Sequence, residues 1–211
     1  VIFHCCGSLP SSIWDAPNNI EIKVASVHPI HSFAEANSSL NNPVNFHCAI
    51  EGDIEAMEIL TVPFELIGAT LHKIDRDTKS LYHASTVMAC NYLVSLLELS
   101  HSMLQAAGIE QGKDRNILRP LIEQTLNNYL STDAKKALTG PISRGDIDTV
   151  FSHLLALENQ SQIWRDVYIS LGKVTLDVAE KQGSPVEKLN KISSLLEKSL
   201  NLSIHKDQNE K

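Results

Sequence analysis

Four polar side chains of kinds that bind ligands cluster around one predicted helix start. Asp146, Thr149 and His153 occupy positions i, i+3 and i+7, which places them on one narrow stripe of that helix. Arg144 comes from the turn just before it. A carboxylate, a hydroxyl, an imidazole and a guanidinium at a helix N-terminus can together bind a polar ligand. The structural alternative is that Asp146 caps the helix, that Thr149 and His153 lie on a solvated face, and that Arg144 pairs with a neighbouring acid.

A second set of candidate residues lies on a long predicted helix. Lys79 and His83 are one turn apart on one face, and Asn91 lies two turns beyond His83, rotated by about 80°. A lysine or histidine beside a carbonyl group can donate the proton that a reduction requires. A buried Asn91 needs hydrogen-bond partners from the backbone or from a ligand. The alternative is an exposed Lys79, with His83 and Asn91 hydrogen-bonded within a helical bundle.

Two predicted strands end in polar loops. One runs from His4 to Gly7, and the other begins at His28-Pro29. In open α/β sheets, ligands bind beyond the carboxyl ends of the strands, so both loops could contact a ligand. The alternative is that Gly7 and Pro29 only shape turns. His28 and His31 could supply half of a metal site, but no carboxylate or cysteine follows at ligand spacing, so no metal is predicted.

The elements that position these residues change character near residue 77. Strands are predicted at 1–4, 22–27, 45–50 and 70–74, with a helix at 54–66 that Asp53 caps and Pro63 bends or restarts. From residue 77 the apolar period is 3.6, which predicts one helix of about 30 residues, closed by Gly108 and buried at the centre of a bundle. Four further helices are predicted around 117–129, 146–155, 163–180 and 185–202; the inward side chains of the third are Trp164, Val167, Leu171, Val174 and Val178. The fold class is therefore α/β followed by all-α.

Composition excludes several classes of protein. The chain has 211 residues, 43% hydrophobic and 20% charged, with a net charge of −7. A surface for nucleic acid or an anionic membrane needs clustered cations, which this chain lacks. No uninterrupted apolar run approaches the roughly 18 residues of a membrane span, and no signal peptide is recognised. Four cysteines without CxxC spacing are expected to be free thiols, which predicts a cytoplasmic protein.

These residues, taken in order, resemble a known family. The sequence is similar to the Rossmann-like proteins with a DUF2520 C-terminal domain, distant relatives of pyrroline-5-carboxylate reductase and the 6-phosphogluconate dehydrogenase superfamily. The resemblance runs from residue 1 to about residue 180, and the Thr-Gly-Pro-x-x-Arg-Gly-Asp element is its most specific part. The matching segments are His4-x-x-Gly7, His28-Pro-Ile-His-Ser-Phe33, Ile50-Glu-Gly-Asp53, Lys79-Ser-Leu-Tyr-His-Ala84, Asn91-Tyr-Leu and Leu138-Thr-Gly-Pro-Ile-Ser-Arg-Gly-Asp146-x-x-Thr-Val.

The resemblance implies an NAD(P)-dependent oxidoreductase acting on a small molecule, with a helical domain that forms a homodimer. It implies the C-terminal part of a Rossmann-like sheet at 1–76 and a helical DUF2520-like domain at 77–204. The polar segment 205–211 is expected to be a disordered tail. Cofactor-binding residues would be His4, Gly7, His28 and Pro29. Catalytic residues would be His83, Lys79 and Asn91, with His83 or Lys79 donating the proton. Substrate-binding residues would be Thr139, Arg144, Asp146, Thr149 and His153.

The sequence departs from the family in two places. The first βαβ unit, with its glycine-rich pyrophosphate loop, is absent from these 211 residues. Cys6 stands where the family usually has a small serine before Gly7. We therefore expect a fragment of a longer oxidoreductase, because half a parallel sheet leaves an unpaired strand edge. The alternative is a non-catalytic helical dimerisation or ligand-binding module that has lost its cofactor site.

Overall fold

The computed structural model describes residues 1–14, 21–32 and 46–209, excluding the side chains of Asp114 and of residues 201–209. Phe33, at the end of the His28 motif, lies outside the described residues. The chain divides into two compact units, Val1–Glu98 and Leu99–Lys211. The first holds a four-stranded sheet and the second is helical, which confirms the predicted fold class of an α/β layer followed by helices.

The sheet is mixed rather than parallel. Its strands are β1 (Ile2–His4), β2 (Val24–Ile30), β3 (Phe46–Gly52) and β4 (Ala69–Lys73), in that spatial order. The pairs β1–β2 and β3–β4 are parallel, as expected, but β2–β3 is antiparallel, with six residue pairs from Ala25–Gly52 to Ile30–His47. The expectation of half a parallel sheet was therefore wrong at this pair.

Strand β2 runs through His28-Pro29, where the sequence predicted its end. Among the described residues, β1 pairs only with residues 24–26 of β2, so the part of β2 that holds Pro29 borders β3 alone. Proline is tolerated there because an edge position does not require its missing N–H group. The two residues predicted to follow the strand therefore lie within it.

The two faces of the sheet differ in polarity. Successive side chains of a strand alternate between faces, and paired residues share a face. One face packs on helix α1 (Ile54–Leu66), and together they form a buried apolar core. The sheet contributes Ala25, Val27, Cys48, Ile50 and Ala69, and the helix contributes Ala56, Met57 and Leu60. The opposite face, here called the polar face, carries His4, Ser26, His28, His47, Glu51 and His72.

Helix α1 has its predicted bounds, and Asp53 occupies its N-cap position. It runs unbroken through Pro63. The Asp53 side chain makes no capping hydrogen bond. One carboxylate oxygen accepts from the Val24 N–H at 2.8 Å, and the other pairs with Arg76 at 3.2 Å. The hydrogen bond from Val24 is the main reason that the pKa of Asp53 is lowered, and Arg76 adds to it. Asp53 therefore joins the start of β2 to the segment after β4.

The long helix predicted after residue 77 is two helices. Helix α2 (Lys79–Ala89) and helix α3 (Asn91–Ala106) meet at Cys90, whose backbone has φ −113° and ψ −71°. The prediction that this helix is buried was also wrong, since Leu81 is 72% exposed and Val94 is 66% exposed. A 3.6-residue period places apolar side chains on one stripe, but it does not say whether the same chain covers that stripe.

The α2–α3 region has the length and composition of a possible membrane span, although the sequence has no uninterrupted apolar run of that length. Within the described residues, Arg76–Ala106 is long and apolar enough to cross a membrane by length and composition alone, and an 18-residue stretch of it has a mean hydropathy of 1.2. This mean hydropathy is high although serine, histidine and asparagine residues interrupt the apolar runs. Length and composition are weak grounds for a membrane span, because core helices pass the same test.

The last four of the remaining helices build a second core. The remaining helices are α4 (Asp114–Ser131), α5 (Ala134–Ala137), α6 (Pro141–Arg144), α7 (Ile147–Leu157), α8 (Gln162–Gln182) and α9 (Val186–Asn209). The buried members of this core are Ile142, Val150, Leu154, Ile169, Ala179, Leu189, Ile192 and Leu196. Gly145 ends α6 in the left-handed conformation, with φ +64°, and thereby turns the chain into α7.

Candidate functional site

A buried ion pair anchors helix α2 to the polar face. The Lys79 ammonium lies 3.1 Å from a carboxylate oxygen of Glu51, and the two side chains are only 2% and 1% exposed. Lys79 also donates a hydrogen bond to the Ser26 hydroxyl. The other Glu51 oxygen accepts from the Ser11 hydroxyl at 2.7 Å, and the Ser11 N–H donates to the first oxygen at 2.8 Å. Each charge in this network therefore has a partner, as burial requires.

These contacts decide the ionisation of Glu51. Burial of the side chain acts to raise its pKa, but the two hydrogen bonds from Ser11 and the hydrogen bond and charge of Lys79 act in the opposite direction. The net effect is a lowered pKa, so Glu51 is an anion at neutral pH. Arg76 adds a second cationic contact, with its Nε atom 3.4 Å from Glu51.

Two imidazoles of this unit meet at Gly7. A Cβ atom added to Gly7 would lie 2.5 Å from Cδ2 of His83 and 2.7 Å from Nε2 of His28, closer than real Cβ contacts allow. The two rings stand edge to face with their centroids 5.8 Å apart. Burial lowers the pKa of His28, and the nearby His83 and Lys79 lower it further. His28 is therefore a neutral imidazole at neutral pH. Glycine is needed here because both rings occupy the space of its side chain.

Tyr82 completes this cluster. Its hydroxyl lies 2.7 Å from Nδ1 of His28, and the two rings are edge to face. The Gly7, His28, Tyr82 and His83 group, here called the Gly7 cluster, joins the loop after β1, strand β2 and helix α2. The structure thus brings Gly7 and His28, from the two predicted strand-end loops, next to His83 of the predicted helix. Lys79, one turn before His83, makes the ion pair with Glu51.

His4 shapes the loop that carries Gly7. Its Nδ1 atom accepts from the Cys6 N–H at 3.2 Å, so Nε2 carries the ring proton and lies 3.3 Å from the Pro10 carbonyl. Both ring nitrogens are used in hydrogen bonds to the backbone. The predicted role of His4 in cofactor binding would therefore act through the shape of this loop. The ring of Pro29 lies on the apolar side of β2, by the alternation of the strand.

The helical unit holds the other predicted residues in local contacts. Asp146 is the N-cap of α7, and its two carboxylate oxygens accept from the N–H and the hydroxyl of Thr149 at 3.1 and 2.8 Å. These hydrogen bonds are the main cause of the lowered pKa of Asp146. Nδ1 of His153 lies 2.9 Å from the Tyr168 hydroxyl. Asp146 therefore caps the helix, which the sequence offered as the alternative to a ligand site. A ligand-binding role for Asp146, Thr149 and His153 stays a prediction.

Three predicted residues lie in exposed positions. Thr139 precedes α6, Arg144 ends it, and Asn91 begins α3. The expectation that Asn91 is buried was wrong, because it lies where the helix restarts after Cys90 rather than in the middle of a continuous helix. These positions leave all three side chains accessible to a ligand or to a second molecule.

Sequence reasoning missed Ser11, Ser26, Glu51 and Tyr82. Ser26 and Glu51 are polar residues at alternate positions of otherwise apolar strands, which is a signal that could have marked a polar face. Tyr82 was noted only as part of a motif. Ser11 gave no signal in sequence, because its contact with Glu51 spans 40 positions.

A separate cavity opens at the carboxyl ends of β3 and β4. It has a volume of about 880 Å³ and includes the N-terminus of α1. Its lining mixes the cations Lys23, Lys73 and Arg76 with the acids Asp53, Glu55, Asp75 and Asp77. None of the residues predicted for catalysis or cofactor binding lines it. Among the described residues, no group of three or more histidine, cysteine or acidic side chains is placed to hold a metal ion.

Comparisons with known proteins place the chain in a family. It is similar to the crystal structure of protein TM1727 from Thermotoga maritima, with 25% identity and a TM-score of 0.70 over 86% of this chain and 70% of that one. It also shares the fold of putative NADP oxidoreductase BF3122 from Bacteroides fragilis, with 20% identity and a TM-score of 0.58 over 77% of this chain and 60% of that one. No curated protein matches the chain. The family described as Domain of unknown function (DUF2520) matches residues 46–175, more than half of the sequence. The chain therefore belongs to the DUF2520 family.

Proposed function

We propose that this chain is part of an NAD(P)-dependent oxidoreductase and that the Gly7 cluster is where the reactive end of the cofactor meets the substrate. The observation that carries the proposal is the meeting of His28 and His83 at a residue without a side chain. A structural neighbour that bears the name of an NADP oxidoreductase supports the same assignment. The kinship with pyrroline-5-carboxylate reductase and the 6-phosphogluconate dehydrogenase superfamily is part of this proposal.

The residues present fit one end of the dinucleotide. The missing Cβ atom of Gly7 lets two partly exposed imidazoles come together, and their exposed edges could contact a flat nicotinamide ring. The phosphate end needs a glycine-rich loop at a helix N-terminus, and these 211 residues contain no such loop. His4, Gly7, His28 and Pro29 would therefore hold the nicotinamide end only. The bound cofactor would supply a hydride.

The chain's own residues would supply the proton. His83 is half-buried beside Gly7, and we assign it as the proton donor. Lys79 is a poorer donor because its ammonium is buried between Glu51 and Ser26. We assign Lys79 instead to fixing α2, and thus His83, against the polar face. Thr139, Arg144, Asp146, Thr149 and His153 are proposed to bind polar groups of the substrate, and Asn91 to take part in catalysis.

Titration calorimetry on the full gene product tests the proposal. We expect NADPH or NADH to bind with a single-site isotherm and NMN, the nicotinamide half, to compete with it. A Gly7→Val variant should lose dinucleotide binding, because its side chain would enter the space of both imidazoles. Ala106→Val is the control for introducing a valine, since Ala106 is exposed at the end of α3. The proposal is contradicted if neither dinucleotide binds, or if Gly7→Val binds as tightly as the wild type.

A homodimer through the helical region belongs to the same proposal. Large apolar side chains stand exposed along α2, α3 and α4, including Leu81, Met88, Val94, Leu121 and Leu130, which are 57–77% exposed. Association would remove this surface from water. The same observation favours the alternative of a non-catalytic dimerisation module. That alternative predicts dimers by sedimentation equilibrium but no dinucleotide that raises the melting temperature.

A further inference from the structure

We propose that Tyr82 is a positioning residue that holds His28 in the tautomer protonated at Nε2. The neutral imidazole would then present an N–H donor beside Gly7 to an acceptor oxygen of the substrate, such as a carbonyl group. This inference rests on the proposed function for its catalytic meaning. The tautomer itself is a property of the free protein and can be measured without a cofactor.

The contact between the two side chains fixes their orientation. The Tyr82 hydroxyl lies 2.7 Å from Nδ1 of His28, and the ring planes cross at 78°. Both side chains are partly buried. The partly buried Tyr82 hydroxyl needs an acceptor for its hydrogen, and Nδ1 of His28 lies within hydrogen-bond distance.

The charge states decide which group donates. Burial raises the pKa of the Tyr82 phenol, and the neighbouring Cys48 adds to this effect, so the hydroxyl keeps its proton. His28 is a neutral imidazole, as its lowered pKa indicates, and a neutral imidazole has one donor nitrogen and one acceptor nitrogen. With Nδ1 accepting from Tyr82, the ring proton lies on Nε2.

The Nε2 atom of His28 lies next to Gly7 and to the ring of His83. It lies 2.7 Å from the point that a Cβ atom of Gly7 would occupy, and Cδ2 of His83 lies 2.5 Å from the same point. The N–H of His28 and the ring of His83 therefore flank the same position. Both rings are partly exposed, so an oxygen bound at their exposed edges could accept a hydrogen bond from His28 and a proton from His83.

Nitrogen-15 NMR of the histidine rings in the cofactor-free protein tests this inference. In the wild type we expect His28 as the Nε2–H tautomer, with the signature of an acceptor nitrogen at Nδ1. In Tyr82→Phe we expect a change toward a mixture of both tautomers. Tyr168→Phe is the matched control, because its hydroxyl makes the same kind of contact, at 2.9 Å, with Nδ1 of His153. That variant should alter His153 and leave His28 unchanged.

Two outcomes would overturn the inference. One is a wild-type His28 protonated at Nδ1, and the other is a His28 tautomer that stays the same in Tyr82→Phe while the rest of the spectrum shows a folded protein. Failure of the proposed function gives a different pattern, in which the tautomer changes as expected but neither dinucleotide binds. The two ideas can therefore fail separately.

Discussion

Replacing Glu51 with glutamine is expected to lower the free energy of unfolding by about 3–5 kcal/mol, as is replacing Lys79 with methionine. Glu51→Gln leaves the Lys79 ammonium, 2% exposed, without a carboxylate, and Lys79→Met leaves Glu51, 1% exposed, with only the Arg76 contact at 3.4 Å. The Glu51 variant also weakens the acceptor of two hydrogen bonds from Ser11. Denaturant titration with a common slope for all variants measures the loss.

Two further variants separate burial from charge. Lys191→Met removes an exposed pair with Glu187 whose N–O distance, 2.7 Å, is even shorter, and it should cost no more than about 0.5 kcal/mol. The double variant Lys79→Met with Glu51→Gln should recover part of the loss, because it leaves no unpaired buried charge and keeps an oxygen that can accept from Ser11. A loss below about 1 kcal/mol in both single variants would contradict the description of this pair.

The same pair predicts how stability changes with pH. The pKa of Glu51 is lowered in the folded protein, so its contribution is present above the unfolded value of about 4.3 and is lost as the pH falls through the folded value. The loss of stability in this acid range should therefore be smaller in Glu51→Gln than in the wild type.

Replacing His83 with glutamine is expected to lower kcat of the proposed NAD(P)-dependent reduction by about 10²–10⁴-fold. Glutamine keeps a polar side chain of similar reach but cannot deliver a proton as an imidazolium does. The rate would be measured by dinucleotide oxidation with a panel of carbonyl and imine compounds. The melting temperature should change little, because the buried contacts that fix α2 are made by Lys79 and not by His83.

His72→Gln is the control for this variant. His72 lies on the same polar face, but its described partner is His47 at 2.9 Å and not the Gly7 cluster. Its replacement should leave kcat unchanged. A His83→Gln enzyme with wild-type turnover would exclude His83 as the proton donor.

Much of the local structure could be predicted because local signals determine it. The strands, helix α1 and the turn before α7 follow from alternation, from periodicity and from glycine and proline positions. The partners of Glu51 could not be predicted, since Lys79 is 28 positions away and Ser11 is 40 positions away. Only the strand order and the direction of β3 bring these residues together.

Helix α8 shows where periodicity misleads. The predicted inward face contained Leu171 and Val174, which are 38% and 62% exposed. The buried seam contains Ile169, Gly172 and Ala179 instead. A Cβ atom on Gly172 would lie 3.1 Å from Leu196 of α9, so a small residue permits the close approach of the two helices. Reasoning that favours large apolar residues cannot find a seam made partly of small ones.

The measurement that most directly tests the central claim is the histidine NMR spectrum of the full gene product during titration with NADPH. If the Gly7 cluster is the site, the ring resonances of His28 and His83 should shift as the dinucleotide binds, because a nicotinamide ring beside Gly7 would change the surroundings of both. The resonances of His47 and His72, which pair with each other on the same face, should stay in place. Binding of NADPH with unchanged His28 and His83 resonances would place the site elsewhere and contradict the account.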